Sequence, residues 1–400
     1  MKVTRTLRAA VGAALTGALL LTATGTASAD QTRSAQWPFE AFDAQSIWKE
    51  ATGKGVTVAV VDTGFRKTHQ DLAGAFLPGE DFPNPSIDKG RTEEPGSDIR
   101  DHGTGMSALI AGRGHGPGGS QGVKGLAPDA KILPLTADKN FPAAIRYAVE
   151  HDAKVINLSF IGDANTPDMC ASIHYAVEKG VVVLAGVGND GLSEALFPAA
   201  CPGAIGVGAV DEFGKAWEGG NYNKTVDVLA PGVKIPYPNG QSDTGYFTGD
   251  GTSAATAYAS ATAALLLEKY PDLTPGQIAN RMVKTAGLAK SVKAKNLKLP
   301  DVHYGYGFIQ PWAALTRDIP AGPRGSAAHA AGQGVEGSRG RGRRQGQGPQ
   351  SADRREEDVA VRRHGRGRAA GDRARRDGHR PRTPPQQARP AGLALTRTGR

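Results

Sequence analysis

Several features that would decide a function outright are missing from this chain. Cysteine occurs twice, at Cys170 and Cys201, which excludes a disulfide-dense scaffold. Beyond the N-terminal segment no hydrophobic run nears the roughly 20 residues of a membrane helix, and the apolar run 261–267 is far too short. No metal-ligand cluster stands out. Acidic residues scattered over the loops lack the period of a calcium loop, so no cofactor is expected. After Pro320 both lysine and aromatic residues vanish.

That last absence redistributes the charge. Residues 321–400 hold 19 Arg against seven Asp plus Glu, a net +12, while residues 1–320 hold 29 basic and 32 acidic residues, a net −3. The formal +9 of the whole chain therefore belongs to the tail, and the body is near neutral. A segment dominated by Gly, Arg, Ala and Pro cannot bury enough apolar surface to fold, so residues 318–400 are expected to be a disordered tail. Three origins compete: a polyanion- or wall-binding arm, an inert solvated tail, and out-of-frame reading of a GC-rich gene. The last is preferred, because it also accounts for the loss of lysine.

At the other end, Lys2, Arg5 and Arg8 precede an apolar run over 9–21 and the small-residue site Ala27-Ser28-Ala29. This is a secretory signal peptide over residues 1–29, so the mature chain is expected to be exported, with no other membrane span. In that setting an even pair of cysteines points to a Cys170–Cys201 disulfide; two buried free thiols are the alternative.

Residues 30–43 read as a short polar extension with apolar anchors at Trp37 and Phe39. A helix is expected over 44–50, with Asp43 as its cap. Apolar runs at 56–61, 131–135, 155–160, 181–185, 204–210 and 226–229 predict strands buried on both faces. Helices are predicted over 106–111, 141–151, 170–179 and 275–286, the last capped by Thr274 with Pro275 at its first position. Residues 77–100 and 112–122 read as loops. Strands alternating with helices give an α/β fold on a parallel sheet covered on both sides, with functional groups beyond the carboxyl ends of the strands.

The stretch around Gly251-Thr252-Ser253 organises the rest. It opens into an Ala- and Leu-rich helix without Gly or Pro, which places Ser253 near a helix N-terminus, among unpaired N–H groups and the positive end of the dipole. Taken alone, Ser253 could be a simple cap. Asp62 follows one strand, Asn189 follows another, and His102 lies between them in sequence. Each also has a bland reading: a turn Asp, a surface His, a left-handed turn Asn. Asp62-Thr63-Gly64 also matches an aspartic protease motif, but that reading needs a second copy and an all-β chain. Together, Asp, His and Ser in this order supply a carboxylate, a general base and a nucleophile, and Asn189 supplies an oxyanion donor.

Val60-Val61-Asp62-Thr63-Gly64, Asp101-His102-Gly103-Thr104, Gly188-Asn189 and Gly251-Thr252-Ser253-Ala254 resemble the four signature blocks of the subtilisin-like serine proteases. The resemblance implies a mostly parallel seven-stranded sheet with helices on both faces, within a peptidase domain spanning residues 44–317. It implies an acyl-enzyme mechanism with Asp62 as orienting carboxylate, His102 as general base, Ser253 as nucleophile and Asn189 as oxyanion donor. It further implies that Ser159, Phe160, Ile161 and Gly162 pair with the substrate backbone, and that Gly186, Val187 and Gly188 line a side-chain pocket. The leader with Trp37, the Gly-rich insert after His102 and the paired cysteines are similar to the mycosins, actinobacterial proteases associated with type VII secretion. That implies a dedicated exported protein substrate and secretion machinery as partner, with no nucleic acid required. The chain departs from the family pattern in three ways. Ala254 and Ala257 stand where Met or Phe and Pro are frequent. Gly105 stands where His is frequent. Residues 30–43 leave no room for a folding propeptide. An inactive protease fold serving as an envelope scaffold is the alternative.

Overall fold

The computed structural model describes residues 31–82, 102–137, 140–161 and 167–322. The expected signal peptide over residues 1–29, Gly162 and the tail from residue 323 onward lie outside the described residues.

The strands are β1 (Thr57–Asp62), β2 (Glu80–Phe82), β3 (Arg113–His115), β4 (Gln121–Lys124), β5 (Lys131–Ala137), β6 (Val155–Leu158), β7 (Val182–Gly186), β8 (Ile205–Val210), β9 (Val228–Pro231), β10 (Ile235–Pro238) and β11 (Tyr246–Gly249). Seven form one sheet in the order β2-β5-β1-β6-β7-β8-β9, and every pairing within it is parallel. β3–β4 and β10–β11 are separate antiparallel hairpins.

β1 explains why continuous apolar runs were the right signal. Alternate side chains point to opposite faces. Val58 and Val60 pack into one core, with the helices His102–Ala111, Thr252–Lys269 and Pro275–Thr285. Ala59 and Val61 pack into the other, with the helices Phe141–Glu150 and Pro167–Glu178. The helix Thr252–Lys269 is buried from Ala254 to Leu267 on all sides, so its sequence is apolar all round rather than amphipathic. Each fully buried leucine there contributes about 1.5–3 kcal/mol. This helix runs beneath the sheet and anchors Ser253 at its first turn. Among the described residues no helix is long and apolar enough to cross a membrane.

Three sequence expectations need correction. The run 77–100 was expected to be loop, yet Glu80–Phe82 adds a parallel edge strand to β5; three residues are too few to show a period. The run 112–122 was expected to be loop, but Arg113–His115 and Gln121–Lys124 pair across a tight turn. The helix expected to start at residue 106 starts at His102. Gly103 and Gly105 weaken helix propensity, but each makes room for a neighbour. A Cβ at Gly103 would meet the Phe65 ring at 2.5 Å, and one at Gly105 would meet the Tyr237 ring at 2.6 Å.

The polar leader is built into the body. Arg33 donates to the carbonyls of Gly119, Gln121 and Gly122. The Gln36 side chain bonds the Lys124 backbone in both directions, at 2.9 and 3.0 Å. Asp43 caps the helix Ala44–Glu50 by accepting from the Ser46 N–H, as expected. Thr274 and Gln277 form a reciprocal capping box at the start of Pro275–Thr285.

Candidate active site

Asp62 ends β1 in the middle of the sheet, flanked by β5 and β6. Its side chain is 2% exposed. One carboxylate oxygen accepts from the Thr63 N–H at 2.7 Å. Both oxygens lie 3.0 Å from His102 Nδ1. A carboxylate that accepts these bonds fixes the imidazole tautomer: Nδ1 carries the proton, and in the neutral ring Nε2 keeps its lone pair.

The His102 ring is 24% exposed. Burial favours its neutral form, but the Asp62 charge and hydrogen bond outweigh burial and raise its pKa above the ordinary 6.5. The ring is therefore a stronger base than a free imidazole.

Ser253 is the second residue of its helix. The cap is Gly251, so Ser253 is not spent on capping. In the first turn its N–H has no intrahelical acceptor. Its hydroxyl donates to the Ser159 carbonyl at 3.2 Å, and Ser159 Oγ donates back to the Ser253 carbonyl at 3.1 Å. Behind this pair, Asn157 donates to Ser159 Oγ at 2.9 Å and accepts from Ser260 Oγ at 3.0 Å. A polar relay thus ties the end of β6 to the helix at two points. The Ser253 hydroxyl points to this relay rather than to His102.

Asn189 follows β7. Its Oδ1 accepts from the Thr252 N–H at 2.9 Å and from Thr252 Oγ1 at 3.0 Å. A backbone N–H can only donate, so the amide oxygen must face it. The amide nitrogen is therefore the group Asn189 offers to the cleft.

Ser253 lies behind Ser159, bonded to its carbonyl. Asp62, His102 and Asn189 border a cleft of about 500 Å³, which is lined also by Thr63, by Ser159, Phe160 and Ile161, and by Tyr237, Pro238, Asn239, Gly240 and Phe247 of the hairpin. Of the expected substrate-contacting residues, Ser159, Phe160 and Ile161 reach it. Gly186, Val187 and Gly188 do not line it. Val187 is fully buried in the sheet's second core, because the chain stays in register with β8 past the end of β7. Cys170 and Cys201 form a disulfide with a Cα–Cα separation of 5.1 Å, and the free-thiol alternative falls.

Sequence reasoning missed Thr252 as the residue that orients Asn189, although it stands in the same block as Ser253. It also missed Asn157, a buried polar side chain inside an apolar strand, which is itself the signal. The hairpin lip with Tyr237 and Phe247 gave no strand pattern at all.

A parallel sheet with a carboxylate at one strand end, an imidazole on the next helix and a hydroxyl at the N-terminus of the buried central helix defines a serine hydrolase of the subtilisin type. The sequence profile of the subtilase family matches residues 53–307, and the chain belongs to that family of serine endopeptidases. It is 32% identical to fervidolysin of Fervidobacterium pennivorans over 71% of this chain and 44% of that protein. It is 36% identical to the thermophilic serine proteinase of Bacillus sp. (strain AK1) over 55% of this chain and 54% of that one. The chain thus spans about half the length of these two relatives. Its fold is similar to the crystal structure of MycP1 from the ESX-1 type VII secretion system, with a TM-score of 0.60 and 27% identity over 72% of this chain and 87% of that one.

Proposed function

We propose that this chain is an exported endopeptidase that cleaves peptide bonds through an acyl-enzyme on Ser253, with its peptidase domain over residues 44–317. The observation that carries this reading is the contact of His102 Nδ1 with both oxygens of the buried Asp62. In this mechanism the Ser253 side chain turns away from the Ser159 carbonyl, and Oγ must then reach His102 Nε2. His102 takes the hydroxyl proton as Oγ attacks the scissile carbonyl, and Asp62 stabilises the imidazolium. The Asn189 amide and the Ser253 N–H receive the oxyanion. His102 then gives its proton to the leaving amine. Water repeats the sequence in reverse and frees Ser253. Such hydrogen bonds are often loose before substrate binds.

The likeness to a mycosin supports a narrower reading: the substrate is a specific exported protein, processed at the cell envelope beside type VII secretion machinery. Comparing secreted protein termini between cells with wild-type enzyme and cells with Ser253→Ala tests this. One or a few new termini are expected; wholesale change in the secretome contradicts a dedicated substrate.

The mechanism is tested by a fluorophosphonate probe, which should label the folded protein and fail to label Ser253→Ala. A folded wild-type protein that stays unlabelled would instead be a scaffold.

A further inference from the structure

The cleft's second lip is apolar in a way the chemistry does not require. Tyr237 and Phe247 are directly opposite each other across the hairpin β10–β11. Their rings meet edge-on, 5.6 Å apart at 61°. Phe247 keeps 47% of its surface exposed although it borders a cleft. Two glycines admit the pair: a Cβ at Gly105 would stand 2.6 Å from the Tyr237 ring, and a Cβ at Gly249 would stand 2.7 Å from both Phe247 Cε1 and the Tyr237 hydroxyl. The absent side chain at position 105 therefore seats Tyr237 on the first turn of the helix that carries His102. Among the lining residues only Asp62 and His102 can carry charge, and they are paired with each other.

Which part of a substrate meets this lip follows from proton transfer. The acyl portion lies along Ser159 to Ile161, beside Ser253. The leaving amine must stand within reach of His102 to receive its proton. What is attached to that amine then extends past His102, against the element that packs on its helix and lines the same cleft, the Tyr237–Phe247 hairpin.

We infer that Phe247 and Tyr237 form an aromatic subsite that selects peptides with a large apolar or aromatic residue immediately after the scissile bond. This rests on the acyl-enzyme reading above. The subsite fits one such side chain, since an exposed aromatic surface gains by being covered, and among the described lining residues there is no unpaired cation or anion to hold a charged one.

Acyl transfer isolates the subsite. A small ester substrate acylates Ser253 and releases its alcohol. Added amino-acid amides then compete with water for the acyl-enzyme. The amine nitrogen adds to the ester carbonyl, and its proton passes through His102 to Ser253 Oγ as the C–O bond breaks. A peptide leaves. The ratio of peptide to acid, measured in one tube, reports leaving-side binding independently of the acyl side. Phenylalanine amide should be captured at least about tenfold better than aspartate amide or serine amide. Phe247→Ala should bring the preference for phenylalanine amide over aspartate amide near unity, and Phe247→Arg should turn it toward aspartate amide. Gly105→Ala, which displaces Tyr237, should also erode it. Ester turnover without preference, or a preference that survives Phe247→Ala, overturns the inference alone. No ester turnover at all overturns the peptidase reading and this inference with it.

Discussion

Ser159 and Phe247 line the same cleft, and different forces hold them. The Ser159 lip is fixed by directed hydrogen bonds: Ser260 to Asn157, Asn157 to Ser159, and Ser159 to Ser253 and back. On the other lip the backbone hairpin is also hydrogen-bonded, but the Phe247 and Tyr237 side chains are held by ring packing into the space that Gly105 and Gly249 leave. Hydrogen bonds demand geometry within tenths of an ångström, which suits groups that must meet a reacting carbonyl. Apolar packing is proportional to area and tolerant of angle, which suits recognition of a side chain class. On the reading proposed above, rate and selectivity fall to separate lips, and substitutions should separate them.

The largest effect is expected at the reacting groups. Ser253→Ala or His102→Ala should lower kcat by about 10⁶, the figure known for subtilisin itself, and Asp62→Asn by about 10⁴. Steady-state hydrolysis of a peptide anilide, with circular dichroism as a folding control, checks this. Next, Asn189→Ala should cost about 10²–10³ in kcat, again the cost known for a subtilisin oxyanion donor. Thr252→Val leaves the backbone donor to Asn189 in place and removes the two hydroxyl bonds, to Asn189 Oδ1 and from the Gly188 N–H. It should cost about 3–10-fold, in kcat more than in KM.

The pH profile is a finer probe of the polar side. His102 must be neutral to act as base, and Asp62 raises its pKa. The acid limb of kcat/KM should therefore have its midpoint above 6.5. In Asp62→Asn the charge and its hydrogen bond no longer oppose burial, so the midpoint of the residual activity should fall. An unchanged midpoint would mean that another group titrates. The smallest effect is expected across the cleft: Tyr237→Phe keeps the ring, and should leave both kcat and the leaving-side preference within about twofold of wild type. A large loss of kcat there would erase the division between the lips.

Much of the polar lip was legible in the sequence, because acyl transfer allows few residue types. Asp62, His102, Asn189 and Ser253 stand at element ends, where apolar runs stop, and β1, β5, β6, β7 and β8 announce themselves as such runs. The apolar lip was not legible. β10 reads Ile235-Pro236-Tyr237-Pro238, and its two prolines argue against a strand; they are tolerated because β10 pairs only with β11. Gly105 stood out as a departure from the family, but its meaning depends on a residue 132 positions away, which no local pattern reveals. Likewise Val187 stood beside Gly186 and Gly188 and seemed pocket-like by resemblance, while its burial is decided by β8.

The most direct test of the central claim is a crystal structure of the enzyme with a peptide aldehyde. The account predicts a covalent bond from Ser253 Oγ to the aldehyde carbon. The new oxygen should lie about 2.7–3.1 Å from both the Asn189 amide nitrogen and the Ser253 N–H, with His102 Nε2 beside Oγ. Attachment elsewhere, or a Ser253 hydroxyl still bonded to the Ser159 carbonyl with the aldehyde unreacted in the cleft, would contradict it.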